Sequence, residues 1–354
     1  MTQATGLEVD GLGERARLWL SSGGWFEWSP TEPLQKTDRL SIFHAELGDP
    51  DAPVLLLVHG FPTSSIDWFD VVAPLSERYR VCFVDFPGFG FSDKPAGEHY
   101  TLTRDAELLD HYLREVVGAS RGAVVAHDRG DSVSLALLDR CSRGRSAFEI
   151  THLVLSNANV FLPLSNLTNF QRQVLDAETW PAVLDVLTPE MLAIGMGQTT
   201  FTPRRGLDDA AIRALVDTFG ANDGIAVLHD TIQYLVQRSE HETEWLDRLA
   251  ASTVPTTLVW GLYDTVSPLR VANYVWLNYL SRKAADNTFW VLPRANHYLQ
   301  DDQPGEFVAV VEAVLSGAGT SLEPGALSDE PGAPVFVDRS RPELRSARDA
   351  LAGG

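Results

Sequence analysis

The sequence predicts an α/β fold, in which helices pack on both faces of a mostly parallel central sheet. Short β-branched and aliphatic runs alternate with longer amphipathic segments, which is the pattern of strands followed by covering helices. One run, residues 54–59, is almost continuously apolar, as expected of a central strand that is buried on both faces. A length of 354 residues suits one large catalytic domain with an insertion, or two small domains.

The individual elements follow from these runs in chain order. The predicted strands comprise residues 25–28, 40–46, 54–59, 81–85, 123–127, 152–155, 257–260 and 288–292. The predicted helices comprise residues 102–117, 131–141 and 306–315. The fourth predicted strand ends in the turn-rich segment FPGFG.

The alternation changes between residues 160 and 245, where the chain is helical by spacing and is interrupted by four prolines. Because the strand pattern resumes afterwards, we interpret this segment as a helical cap inserted over the sheet edge where open α/β sheets place their ligands. The predicted organisation is an N-terminal extension (1–36), an α/β core (37–159 and 246–316), the cap (160–245) and a flexible C-terminal tail (317–354).

Composition and charge exclude several classes of function. The net charge of −20 opposes binding to nucleic acid or to an anionic membrane surface. Two cysteines indicate neither a disulfide framework nor a zinc site, and no metal is expected. The first ten residues include Glu8 and Asp10 and have no apolar core of a signal peptide, so a cytoplasmic location is expected.

The central motif is AHDRG, residues 126–130, between a predicted strand and a predicted helix. A nucleophile elbow is a strained strand-to-helix turn that lifts one side chain above the sheet, with small residues two positions away on each side. Ala126 and Gly130 satisfy that demand, and Asp128 stands at the nucleophile position. Aspartate is also a common N-cap, so the motif alone leaves both interpretations open.

Three further motifs stand at the ends of predicted strands. One matches an oxyanion-hole loop, and the other two place an acid and then a histidine after the nucleophile in the chain. HGFP, residues 59–62, matches the loop that supplies an oxyanion-hole amide, here the Phe61 N–H, with the Arg129 N–H as second donor. Asp264 follows a late strand in WGLYD, where the acid belongs, and His297 follows the last strand in ANHY, where the base belongs.

With these motifs the sequence resembles the epoxide hydrolase and haloalkane dehalogenase branch of the α/β-hydrolases, and the mesoderm-specific transcript-like group within it. The similar stretches are HGFPTSSIDW, GFGFSDKP, HDRGD, QYLVQR, WGLYD and NHYLQDDQP, between about residues 37 and 315. The resemblance implies that Asp128 forms a covalent ester, that His297 activates water and that Asp264 orients the histidine. It also implies that Tyr234 in the cap protonates the leaving oxygen.

The chain departs from this pattern at several positions. Tyr234 is the only tyrosine in the predicted cap, whereas epoxide hydrolases commonly have two, and His229 is an alternative donor. Haloalkane dehalogenases typically place tryptophan where this chain has Arg129. Arg129 also resembles the arginine that grips the carboxylate in haloacetate dehalogenases, although Ser132 replaces their second arginine; an ion pair with Asp131 or another carboxylate is the structural alternative.

These observations favour a hydrolase that needs no cofactor or metal and converts an epoxide to a vicinal diol. Dehalogenation of a haloacid or haloalkane is the second interpretation, and a catalytically silent binding module is the third. The intact set of Asp128, Asp264 and His297 argues against the third. The expected partner is a small epoxide or halogenated substrate, and the sequence does not determine the oligomeric state.

Overall fold

The computed structural model describes residues 11–32, 34–317, 325–326, 328 and 330–341. Within these ranges ten strands form one sheet in the order β1-β2-β4-β3-β5-β6-β7-β8-β10-β9. The strands are β1 (Gly23–Trp28), β2 (Leu40–Leu47), β3 (Val54–Val58), β4 (Arg80–Val84), β5 (Arg121–His127), β6 (Glu149–Ser156), β7 (Thr256–Gly261), β8 (Thr288–Leu292), β9 (Gly325–Ala326) and β10 (Val335–Arg339).

The centre of the sheet is parallel and its edges are antiparallel. Strands β4, β3, β5, β6, β7 and β8 pair in parallel, so their carboxyl ends meet at one edge of the sheet. Strands β1, β2 and β10 pair antiparallel with their neighbours. The predicted α/β class and all eight predicted strands are confirmed, with ends that differ by a few residues.

Helices pack on the sheet in two layers. Helices α3 and α4 contact each other and α10 contacts both, whereas α13 packs against α2 and α12. The helices are α1 (Glu14–Ser21), α2 (Phe69–Ser76), α3 (Leu102–His111), α4 (Arg129–Ser142), α5 (Asn169–Leu175), α6 (Trp180–Leu184), α7 (Pro189–Thr199), α8 (Ala210–Gly220), α9 (Leu228–Ile232), α10 (Tyr234–Ala251), α11 (Leu269–Val275), α12 (Leu299–Asp302) and α13 (Pro304–Leu315).

The chain between β6 and β7 contains helices α5 to α10 and short 3-10 turns. All residues of this segment are described, and none of them forms a strand. Several of these helices begin at side-chain caps, because Thr168, Thr188 and Asp209 each accept a hydrogen bond from a backbone N–H of the first turn. Capping explains why a proline-interrupted sequence still forms a series of short helices.

Both ends of the chain contribute more to the sheet than the domain prediction allows. Residues 23–28 of the predicted N-terminal extension form β1, which pairs along its whole length with β2. The prediction of a flexible tail is wrong for residues 335–339, which pair with β8. The reason is apolar packing: Phe336 is buried and lies against Trp290, with ring centroids 5.0 Å apart.

The structure bears only in part on the predictions about a signal peptide and about membrane-spanning helices. Residues 1–10, on which the expectation of no signal peptide rests, lie outside the described residues. Across the described ranges, no helix is both long and apolar enough to cross a bilayer.

Phe336→Ala tests whether β10 is a stable part of the fold. We expect a loss of roughly 3–5 kcal/mol in the free energy of unfolding, because the substitution leaves a cavity beside Trp290. Urea denaturation measures the loss, and Val337→Ala is the matched control because Val337 is 38% exposed. Equal stabilities of the two variants would show that this strand does not stabilise the domain.

Candidate functional site

Asp128 occupies a strained turn between β5 and α4. Its backbone has φ 52° and ψ −114°, a conformation that side chains with a Cβ rarely adopt. The turn is crowded, since a Cβ added at Gly130 would lie 2.3 Å from the Val58 carbonyl oxygen. A Cβ at Gly60 would lie 2.8 Å from the Asp128 Cβ. The predicted strand-to-helix elbow is therefore present, and steric contact explains its small residues.

The Asp128 carboxylate is almost completely buried and is held by three donors from three different loops. Its Oδ1 accepts the Phe61 N–H at 3.0 Å, and its Oδ2 accepts the Asn159 side-chain amide at 3.2 Å. The His297 Nε2 lies 3.5 Å from Oδ2. Burial favours the protonated acid, but His297 and the Phe61 amide lower the pKa of Asp128 to about 2. The group is a carboxylate at neutral pH.

His297 joins Asp128 to Asp264. Its Nδ1 lies 3.1 Å from both carboxylate oxygens of Asp264. Burial favours the neutral ring, but the Asp264 and Asp128 carboxylates together raise the pKa of His297 to about 10. Asp264 is fixed in turn, since its Oδ1 accepts the Val266 and Ser267 N–H groups at 2.7 and 2.9 Å. The two neighbouring acids therefore favour the imidazolium form of His297.

Two side chains that the sequence did not indicate hold the His297 loop through hydrogen bonds to its backbone carbonyls. Asn157 has φ 47° directly after β6, and its side-chain amide donates to the carbonyls of Asn296 and His297 at 2.8 and 2.6 Å. The His127 Nε2 lies 2.8 Å from the His297 carbonyl oxygen. Burial lowers the pKa of His127 to about 3, so the ring is neutral and Nε2–H is the donor.

Asn157 and Asn159 were missed although a signal was available. Both follow β6 in the segment SNAN, and polar residues after a parallel strand face the same sheet edge as the nucleophile. His127 was missed because it directly precedes Asp128. Side chains of adjacent residues in a strand point to opposite faces of the sheet, so no role for His127 beside Asp128 was expected.

The backbone N–H of Arg129 and its side chain have different surroundings. It is the first residue of α4, so its N–H belongs to the first turn, whose amides have no partner within the helix. Its side chain is completely buried and pairs with Asp105. The structural alternative, an ion pair of Arg129 with a neighbouring carboxylate, is therefore correct, and the partner is Asp105. Asp131 instead accepts a hydrogen bond from the Ser156 N–H.

Tyr234 begins α10 and lies beside the oxyanion-hole loop. Its ring centroid is 5.7 Å from that of Phe61, and the Arg129 Cζ is 5.4 Å from the ring. The hydroxyl is buried and has no hydrogen bond to a described residue. Burial and the nearby Asp128 charge raise the pKa of Tyr234, so the phenol keeps its proton. The alternative of a surface hydroxyl is wrong.

His229, the alternative donor, is engaged within the cap. Its Nδ1 lies 2.7 Å from the Val174 carbonyl oxygen, and its ring stacks on Trp180 with centroids 6.1 Å apart. Both contacts are made within the segment between β6 and β7. The described contacts of Asp128 do not include His229.

A mainly apolar cavity of about 390 Å³ opens at His297. The core contributes Phe61 and Val266 to its wall, and the cap contributes Phe170, Leu192 and Met196. None of the residues that line it is a lysine or an arginine. Among the described residues, no group of three or more histidine, cysteine or acidic side chains is arranged to hold a metal ion.

Comparison with known proteins agrees with this architecture. Residues 53–304 match the family model of the alpha/beta hydrolase fold. A hydrolase of Mycobacterium tuberculosis named LipZ is 34% identical over 302 residues, which are 85% of this chain and 96% of that protein. The human mesoderm-specific transcript homolog protein is 31% identical over 258 residues (71% and 73%). Haloalkane dehalogenase 2 of Mycobacterium tuberculosis is 27% identical over 267 residues (73% and 86%).

Asp128→Asn tests the electrostatic coupling of the site. Removing one negative neighbour destabilises the imidazolium, so the pKa of His297 must fall below the value of about 10 in the unaltered protein. NMR titration of the ring resonances measures the change, and His297→Gln assigns the signal. A His297 resonance that titrates identically in both proteins would show that Asp128 and His297 are not coupled.

Proposed function

The chain belongs to the α/β-hydrolase fold family, and on that premise we propose that it opens epoxides to vicinal diols through a covalent ester on Asp128. The observation that supports this most directly is the ionised carboxylate at the elbow, held by the Phe61 amide and His297. A carboxylate attacks an sp³ carbon without a base, since it already bears the negative charge. A serine at this position would require deprotonation first.

The first step forms the ester. A carboxylate oxygen of Asp128 bonds to an epoxide carbon, the carbon–oxygen bond of the ring breaks, and its electron pair stays on the ring oxygen. Tyr234 protonates that oxygen through its buried hydroxyl. The proton that Tyr234 loses is replaced from the His297 imidazolium, whose pKa falls once esterification removes the charge of Asp128.

The second step releases the diol. The neutral His297 removes a proton from water, and the water oxygen attacks the ester carbonyl of Asp128. Amides of Phe61 and Arg129 stabilise the tetrahedral oxyanion. The intermediate expels the product oxygen, which takes up the proton of the hydroxyl that water added; the carboxylate is thereby restored and His297 is again an imidazolium. The two steps together add one water to one epoxide, and the protons balance.

The cavity favours an apolar, uncharged substrate. Its wall is formed mainly by aliphatic, aromatic and methionine side chains. Asp128 and Tyr234 do not line this cavity, which instead reaches the site at Phe61 and His297. We propose that the substrate's apolar substituent occupies the cavity, with the reactive ring beside Phe61.

Dehalogenation is the second candidate, and the similarity to haloalkane dehalogenase 2 favours it. The same Asp128 attack would displace a halide. Arg129 does not favour a haloacid, because its side chain is already paired with Asp105. We rank epoxide opening first because the Tyr234 hydroxyl supplies a proton, which an alkoxide requires and a halide does not.

A substrate panel tests this choice. We expect diol formation from terminal epoxides with apolar substituents, and slower or absent halide release from haloalkanes and haloacids of matched size. Chromatography measures the diols and ion chromatography measures halide. Halide release without diol formation would replace our first candidate by the second.

His297→Gln separates the two chemical steps. Asp128 needs no base to attack, so the variant should form the ester and fail to hydrolyse it. Mass spectrometry of the variant mixed with a substrate should show an adduct that accumulates on the peptide containing Asp128. Asp128→Asn is the matched control and should show no adduct. A His297→Gln protein that binds substrate but never forms the adduct would contradict the two-step scheme.

A further inference from the structure

Arg238 differs from the other buried basic side chains of the described part of the chain. Three arginine or lysine residues are buried there: Arg129, Arg238 and Lys283. Arg129 pairs with Asp105, and Lys283 donates to the Thr256 hydroxyl at 3.0 Å. The three guanidinium nitrogens of Arg238 have no hydrogen-bond partner among the described residues, and the residue is 1% exposed.

A buried guanidinium without an acceptor is costly, because it has lost its water and gained neither a carboxylate nor a carbonyl. Salt bridges stabilise other arginines of this chain, yet the structure shows none to Arg238 among the described residues. An arginine that serves only packing is more easily replaced by an apolar residue of similar volume. An uncompensated charge at this position is consistent with an acceptor that arrives with the substrate.

The position of Arg238 indicates where that acceptor lies. Arg238 is one helical turn after Tyr234 on α10, and residues at this spacing share a helix face. The Arg238 Cζ lies 5.7 Å from the Tyr234 ring centroid. The guanidinium interacts electrostatically with Tyr234 and Asp128, and also with Glu242 one turn further along. Arg238 and Tyr234 are therefore adjacent buried groups without a carboxylate or carbonyl acceptor in the described part of the chain, and both interact electrostatically with Asp128.

We propose that Arg238 is the second donor of the leaving-group site, whose N–H groups hydrogen-bond the substrate oxygen as it becomes an alkoxide. This inference rests on the proposed epoxide opening and answers the absence of a second cap tyrosine. When the Asp128 oxygen bonds to carbon, the electron pair of the breaking bond moves to the ring oxygen. Arg238 stabilises that charge without losing a proton, and Tyr234 supplies the proton that completes the hydroxyl.

The ester-forming rate tests the proposal in the His297→Gln background, where the adduct accumulates. The substrate is 1,2-epoxyoctane, and rapid-quench mass spectrometry measures the rate and its dependence on epoxide concentration. We expect Arg238→Gln to lower the maximal rate by about 10²-fold with little change in the half-saturating concentration. Arg238→Lys should restore part of the rate. Tyr234→Phe should lower it by roughly 10²–10⁴-fold, because it removes the proton donor.

Arg248→Gln is the matched control, because Arg248 lies on the same helix but is part-exposed and pairs with Asp139. It should form the adduct at the unaltered rate. A folded Arg238→Gln protein that alkylates as fast as the control would overturn the proposal. So would an effect confined to the half-saturating concentration, since that would indicate a role in ground-state binding alone.

A second experiment locates bound anions in the wild-type protein, so it depends neither on catalytic turnover nor on the folding of a variant. Crystals of the wild-type protein are soaked in sodium bromide, and anomalous scattering locates the ions. We expect bromide within hydrogen-bonding distance of Arg238 and Tyr234. Bromide found at other sites but absent here would overturn the anion-stabilising site. Bromide bound here in a protein that opens no epoxide would reject the proposed function and leave the site itself supported.

Discussion

The site depends on one constraint, which is that an ionised carboxylate is buried on a strained turn. An unpaired carboxylate in such a position would take up a proton, because the loss of hydration penalises its charge. Asp128 keeps a pKa of about 2 because donors converge on it from the loops that follow β3, β6 and β8. The parallel centre of the sheet makes this possible, since it brings those loops to one edge.

The same constraint explains why the histidine loop is tied to so many elements. Asn157 holds the carbonyl of His297 from the core, and it also accepts the Gly261 N–H at the end of β7 at 2.8 Å. Asp302 bridges core and cap, since its carboxylate accepts the N–H groups of Asn296 and Thr202, both at 2.8 Å. An imidazole that faces one carboxylate with each ring nitrogen requires a fixed ring, and these bonds supply it.

Sequence patterns predicted the fold class and the positions of eight strands because buried parallel strands require continuous apolar runs. They also predicted which side chains meet, as the proximity of Asp128, His297 and Asp264 shows; their catalytic roles stay a prediction. The patterns did not predict β10, whose short apolar run resembles any tail segment until Trp290 is opposite it. Nor did they predict Asn159 or the partner of Arg129, because contacts between distant segments leave no local periodicity.

The distribution of charge favours a substrate that is neutral when it binds. A haloacid would carry a carboxylate past a surface with a net charge of −20 and into a cavity without a lysine or arginine in its wall. An epoxide enters uncharged and becomes anionic only as its ring opens. In the proposed reaction the negative charge leaves Asp128 at that moment and develops on the ring oxygen, where we propose the buried Tyr234 and Arg238 as donors. A cation placed there stabilises the transition state more than the bound substrate, which is the requirement for raising the rate of the chemical step.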